Sequence, residues 1–150
     1  MNPLKLRMGP LWNAVQCEGW TEFEIATDEQ IADSIGFYIA ITNTSKAKIW
    51  IENVFFVKGP SYDERSLNPI FPNRSQSYPT RLPVSVEPGI TVDYAVAFSQ
   101  IPKLMENATC VRIRYRNFYL PLPIYQHIDS SDEGFLRFIA ALRIKSQSTT

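Results

Sequence analysis

Residues 110–117, Cys-Val-Arg-Ile-Arg-Tyr-Arg-Asn, alternate apolar and charged side chains without a break. A period of two is met by a β-strand with one face buried and the other in water. Val111, Ile113 and Tyr115 therefore take the core side, and Arg112, Arg114 and Arg116 the solvent side. The period recurs elsewhere. Phe37, Ile39 and Ile41 alternate with Tyr38, Ala40 and Thr42, while Val92, Tyr94, Val96 and Phe98 share one strand face. In Ile49–Val57 the apolar phase shifts near Asn53, as a β-bulge requires. Leu4, Leu6 and Met8 alternate up to Pro10, which closes that run, and 11–17 and 20–26 form two more strands around Glu18-Gly19.

Turn chemistry separates these runs. Asn43-Thr-Ser-Lys reads as a turn. Glu87-Pro88-Gly89 places Pro and then Gly at the central positions of a type II turn. Thr27-Asp-Glu-Gln30 has capping-box spacing and predicts a short helical turn carrying Ile31 and Ile35, and Pro102–Asn107 predicts another. Pro121 and Pro123, two apart, withhold their amides on the same lateral side. The strand around Tyr119–Tyr125 can therefore pair on one side only and belongs at a sheet edge. Beyond His127 the period becomes helical. Ser130-Ser-Asp-Glu133 is a capping box, followed by Phe135, Phe138, Ile139 and Leu142 on one stripe, which predicts a helix over 131–145 and a loose tail over 146–150. The stripe must cover either an open end of the β structure or another molecule.

Eleven prolines and 13% aromatic residues fit a chain of short strands. Residues 1–145 are expected to form a single domain, mainly β: a two-sheet sandwich with a short C-terminal α-helix. Ile39-Ala-Ile-Thr-Asn-Thr-Ser, Lys48-Ile-Trp-Ile-Glu-Asn-Val, Leu82-Pro-Val-Ser-Val-Glu-Pro-Gly and Val111-Arg-Ile-Arg-Tyr-Arg together resemble the strands and Pro-Gly turn of immunoglobulin-like domains. The resemblance spans roughly residues 36–124 and implies an immunoglobulin-like fold without a function. Cys17, Trp50 and Cys110 lack the spacing of the antibody-type Cys…Trp…Cys core, and no Tyr stands two residues before Cys110.

Fifteen basic residues balance fifteen acidic ones, so net charge gives no pull toward nucleic acid or anionic membrane. No apolar run reaches the ~20 residues that span a bilayer. The N-terminal Met-Asn-Pro-Leu-Lys-Leu-Arg-Met-Gly-Pro lacks the apolar centre of a signal peptide. The expected compartment is the cytoplasm, with no membrane partner and with Cys17 and Cys110 as thiols. Asn43, Asn73 and Asn107 each open a glycosylation triplet, and all three read as turn residues.

Catalytic chemistry finds little footing. The single histidine, His127, has Asp129 and Asp132 nearby, and Cys17 or Cys110 could serve as nucleophile, but no spacing joins them. Three Cys and His residues scattered over the chain do not make a zinc site. The oxygens of Asp129–Glu133 are better explained by capping than by calcium. The expectation is a protein that is not an enzyme and that uses no metal and no cofactor.

Three surfaces remain as candidates. The segment 59–80 is long for a connection and holds Tyr62, Arg65, Phe71, Arg74 and Tyr78, residue types that dominate binding hot spots. The apolar stripe Phe135, Phe138, Ile139, Leu142 could mediate self-association. The ladder Arg112, Arg114, Arg116, with charges about 7 Å apart, could meet a polyanion, with Trp50 or Tyr119 for stacking. The alternative for that ladder is a solvated face paired with acids such as Asp93. The leading expectation is a protein-binding or assembly domain whose partner is another protein or a second copy. A polyanion binder comes next, nucleic acid being disfavoured by the neutral charge, and a small enzyme with an unfamiliar site is third.

Overall fold

The computed structural model describes residues 3–57, 65–66, 82–101, 107–117 and 120–148. Among these residues the chain forms β1 (Leu4–Cys17), β2 (Trp20–Ile25), β3 (Gly36–Asn43), β4 (Ile49–Val57), β5 (Arg65–Ser66), β6 (Val84–Val86), β7 (Thr91–Ala97), β8 (Cys110–Asn117), β9 (Leu120–Asp129) and α1 (Glu133–Ser148). One sheet has the order β2-β1-β3-β7. The other has β5-β4-β8-β9, with β6 also lying on β4. All pairings are antiparallel. Ile39, Ile41 and Tyr94 of the first sheet share a core with Ile51, Val54, Val111, Ile113 and Tyr115 of the second. The mainly β, two-layer sandwich expected from the alternation is the observed architecture.

Local chemistry accounts for the connections. Glu18-Gly19 turns β1 into β2, with Gly19 at φ 89°. The amide of Ile90 donates to the Glu87 carbonyl at 3.1 Å, and Gly89 sits at φ 79°, the backbone a type II turn needs at that place. The expected bulge in β4 lies between Ile51 and Asn53. It returns Val54 and Phe56 to the core after Ile49 and Ile51. The proline-bearing strand β9 lies at a sheet edge. Its inward Gln126 is buried, and the side-chain amide pairs with the backbone of Leu4. It accepts from Leu4 N at 3.1 Å and donates to Leu4 O at 2.9 Å, which ties β9 to the first strand of the opposite sheet.

Three expectations change here. Pro10 does not close a strand. Leu4–Met8 and the run from Leu11 onward form one strand, β1, and the register shift between Met8 and Leu11 absorbs Gly9 and Pro10 as a bulge. Ile35 lies beyond the 3-10 turn Asp28–Asp33 and is exposed, leaving Ile31 to pack on the core. The helix starts at Glu133 because Asp132, two residues after Ser130, provides the cap. Asp132 Oδ2 accepts from Phe135 N at 3.1 Å. It also accepts from Met8 N at 3.3 Å, which docks the helix start on the β1 bulge. The helix continues to Ser148, past the expected end at 145.

The helical stripe covers an open end of the sandwich. Phe135, Phe138, Ile139 and Leu142 are all buried within the chain, so the face put forward for self-association is occupied by the protein's own core. Gly134 permits this docking. A Cβ there would overlap the Met8 carbonyl, a backbone atom that cannot swing aside. In an isolated helix Gly134→Ala would add about 1 kcal/mol of stability. Here the substitution is expected to cost about 1–3 kcal/mol through overpacking, read as a lowered midpoint in urea. A raised midpoint would mean the helix does not sit this close to β1.

Candidate functional site

The outer face of the β4-β8-β9 layer is built by register. On β4 and β8, Trp50 lies opposite Arg116, Asn53 opposite Arg114 and Phe55 opposite Arg112. On β8 and β9, Arg112 lies opposite His127 and Arg114 opposite Tyr125. Two rows therefore cross the sheet, Phe55–Arg112–His127 and Asn53–Arg114–Tyr125, with Trp50 and Arg116 forming the start of a third. The bulge makes this possible. It puts Trp50 and Glu52 on the outer face before it, and Asn53 and Phe55 on the same face after it.

Side chains on this face hold one another. The Arg112 guanidinium lies 5.3 Å from the centre of the Tyr125 ring, and Arg114 lies 5.7 Å from that of Phe55. Lys48 Nζ is 5.8 Å from the centre of the Trp50 ring. Stacked cations of this kind gain about 0.5–1 kcal/mol each at exposed sites. Arg112 Nε donates to His127 Nε2 at 3.1 Å. Arg114 donates to the Asn53 amide oxygen at 2.6 Å, and the Asn53 nitrogen donates to the Glu52 carbonyl at 3.2 Å. Arg116 Nε meets Glu52 Oε1 at 2.6 Å. Glu52 is thus an acidic partner of the ladder, at its Arg116 end. Asp93, expected in that role, lies opposite Ala40 in the other sheet.

The other expected sites sort as follows. Tyr62, Phe71, Arg74, Tyr78 and Tyr119 lie outside the described residues, as does most of Pro102–Asn107. Arg65 is described by its backbone, which pairs opposite Phe56 in β5. That pairing sets Arg65 and Ser66 beside β4, in the same sheet that carries the arginines. Phe55, Tyr125, Asn53 and Glu52 belong to the face and were not singled out by sequence reasoning. Their signal depended on knowing which residues of β4 and β9 oppose the ladder.

Among the described residues, register sets Cys110 opposite Asp129 and Arg112 opposite His127, so Cys110, His127 and Asp129 share the outer face of β8 and β9, while Cys17 lies in the other sheet. His127 Nε2 accepts from Arg112 Nε at 3.1 Å. Asp129 Oδ1 accepts from Ser131 N at 2.9 Å and Ser131 Oγ at 2.6 Å, hydrogen bonds that lower the Asp129 pKa from its ordinary value. Desolvation, followed by the Glu22 carboxylate, raises the Cys17 pKa, which works against a thiolate nucleophile. Cys17 and Cys110 are not joined in a disulfide. Among the described residues no three His, Cys, Asp or Glu side chains are grouped to hold a metal ion. No helix among them is long and apolar enough to cross a membrane. A groove of about 650 Å³ lies where α1 meets the β1 bulge, lined by Met8, Leu11 and Ile31 with Arg7, Arg137 and Glu133 at its rim. Ser131 and Asp132 also line it, and both serve the helix start: Ser131 Oγ donates to Asp129 Oδ1, and Asp132 Oδ2 accepts from Met8 N and Phe135 N.

Comparison with family models, with curated proteins and with solved structures finds no match to this chain. The functional reading rests on the geometry of the outer face.

Proposed function

We propose that the protein is a non-enzymatic recognition domain on an immunoglobulin-like scaffold, and that it binds another protein through the outer face of β4, β8 and β9. The observation that carries this reading is the interleaving of Trp50, Phe55 and Tyr125 with Arg112, Arg114 and Arg116 on one accessible sheet face. Trp, Tyr and Arg dominate binding hot spots. Guanidiniums already stacked and hydrogen-bonded lose less rotamer freedom when a partner arrives, which preserves affinity. Strand connectivity supports the scaffold reading. Within the two sheets, β1-β3-β7 and β4-β8-β9 run in the A-B-E and C-F-G order of immunoglobulin-like sandwiches, with β2 as an added edge and β5 and β6 both on β4.

A polyanion reading draws on the same three arginines, with Trp50 as a stacking ring. Glu52 at 2.6 Å from Arg116 places a carboxylate at one end of the ladder, where it opposes a second anion. Affinity capture from source lysate separates the readings. Wild type is compared with R112S/R114S/R116S after both give the same far-UV circular dichroism spectrum. Proteins retained by wild type, lost by the variant and indifferent to nuclease are the expected result. Retention that nuclease abolishes would favour the polyanion instead, and equal retention by both forms would remove the face from consideration.

A further inference from the structure

The chain is neutral overall, yet its charges are segregated. Residues 18–33 contain Glu18, Glu22, Glu24, Asp28, Glu29 and Asp33 and no Lys or Arg. Most of this segment is β2 and the 3-10 turn after it, at the edge of the β2-β1-β3-β7 sheet. Trp20, Glu22 and Glu24 alternate along β2, so they share one strand face, and all three are exposed. Trp20 is 59% exposed, and its Nε1 donates to Glu22 Oε1 at 3.2 Å. The ring is left open to solvent, and its burial by a partner would add a large favourable term.

The acidic strip and the arginine ladder are complementary in both charge and spacing. Each repeats at every second residue of a strand, about 7 Å. With Arg116 engaged by Glu52, the carboxylates of Glu24 and Glu22 match Arg112 and Arg114. Trp20, two residues before Glu22, then falls at the Arg116 end of the ladder, beside Trp50. We propose that the partner of the outer face is a second copy of this chain, whose β2 strip (Trp20, Glu22, Glu24) docks on Arg112, Arg114 and Trp50. This inference rests on the recognition reading above and names its occupant. The two surfaces are different parts of the molecule, so the contact is head-to-tail. Each added copy leaves one strip and one face open, and association continues past a dimer unless a ring closes.

Sedimentation velocity tests this with the full chain. At about 0.05 M salt the average mass is expected to rise between roughly 10 μM and 1 mM protein, a range suited to weak contacts. At about 0.5 M salt, where screening acts within about 4 Å, the rise is expected to vanish. E22K/E24K and R112E/R114E are each expected to sediment as monomers, since each sets like charges against like. Mixed in equal amounts they are expected to associate again, because the unaltered strip of R112E/R114E fits the unaltered face of E22K/E24K, and the reversed strip and reversed face also fit each other. Restoration on mixing also shows that both variants are folded. E22K/E24K added to wild type is expected to lower the average mass by ending growing chains. A wild type that stays monomeric throughout overturns the proposal. So does association that survives both charge reversals, or two monomeric variants that ignore each other. A monomeric wild type that still captures other proteins through its arginines overturns self-docking alone and leaves the recognition reading in place.

Discussion

Phe138→Ala is expected to lower the unfolding free energy by about 3–5 kcal/mol, the range for removing a large aromatic side chain from a core. Phe138 is fully buried, and its ring is surrounded by others. Phe37 of β3 lies 4.6 Å away, Phe56 of β4 5.2 Å, Phe98 6.0 Å and Phe135 6.2 Å, centre to centre. The ring therefore bridges both sheets and ties α1 to each of them. Truncation would leave a cavity whose walls are rigid rings with little scope for collapse. Phe138→Asp is expected to leave the chain unfolded, since a carboxylate in this cluster would have no partner. Urea unfolding followed by circular dichroism measures both. A loss below about 1 kcal/mol for Phe138→Ala would contradict the placement of α1 in the core.

Asn43→Ala is expected to cost about 3 kcal/mol or more, although it removes only three heavy atoms. Asn43 is completely buried. Its Nδ2 donates to the Ala47 and Val86 carbonyls at 2.8 Å each, and its Oδ1 accepts from Ser45 N at 2.9 Å and Ser45 Oγ at 2.7 Å. Every hydrogen-bonding position of the amide is filled. Its backbone is equally committed. Asn43 N donates to Ile90 O at 3.0 Å, and Gly89 N donates to Asn43 O at 2.7 Å. One residue thus fastens the end of β3 to β6 and to two turns. Alanine would strip partners from several buried groups, each worth about 1–3 kcal/mol when left unsatisfied. Asn43→Asp is expected to be at least as damaging, because an anionic oxygen would then face the two carbonyls. Thermal unfolding of the three proteins reads the order. A melting temperature within a degree or two of wild type for Asn43→Ala would contradict this role. The burial of Nδ2 also supports reading this glycosylation triplet as turn chemistry.

The strands that alternate cleanly were legible, because one buried and one wet face impose a period on the residues themselves. Val111, Ile113 and Tyr115 are in the core as the sequence requires, and the phase shift at Asn53 located a bulge without any knowledge of its partner. The paired prolines marked β9 as an edge through their missing donors. Pro10 misled because a proline that interrupts a pattern reads the same whether the strand ends or bulges there. The helical stripe stated that something apolar must cover Phe138 but not what, and three-dimensional packing supplied Phe37, Phe56 and Phe98. The candidate face was half visible. Arg112, Arg114 and Arg116 stood out by alternation. Phe55, Asn53, Glu52 and Tyr125 became members only through strand register, a long-range property that local pattern does not encode. The acidic run over 18–33 was plain in the residues, but its meaning depended on β2 being an exposed sheet edge.

The location of the contact can be read without any substitution. Hydroxyl-radical footprinting of the associated protein, with mass-spectrometric readout, is compared with the same protein dispersed in high salt. The expected result is protection of Trp50, Phe55 and Tyr125 on the sheet face and of Trp20 on β2. Leu136 and Ile144, which are exposed on the far side of α1, are expected to keep their reactivity. Protection centred on Leu136 and Ile144, with Trp50, Phe55 and Tyr125 unchanged, would contradict the assignment of the arginine-aromatic face as the recognition surface.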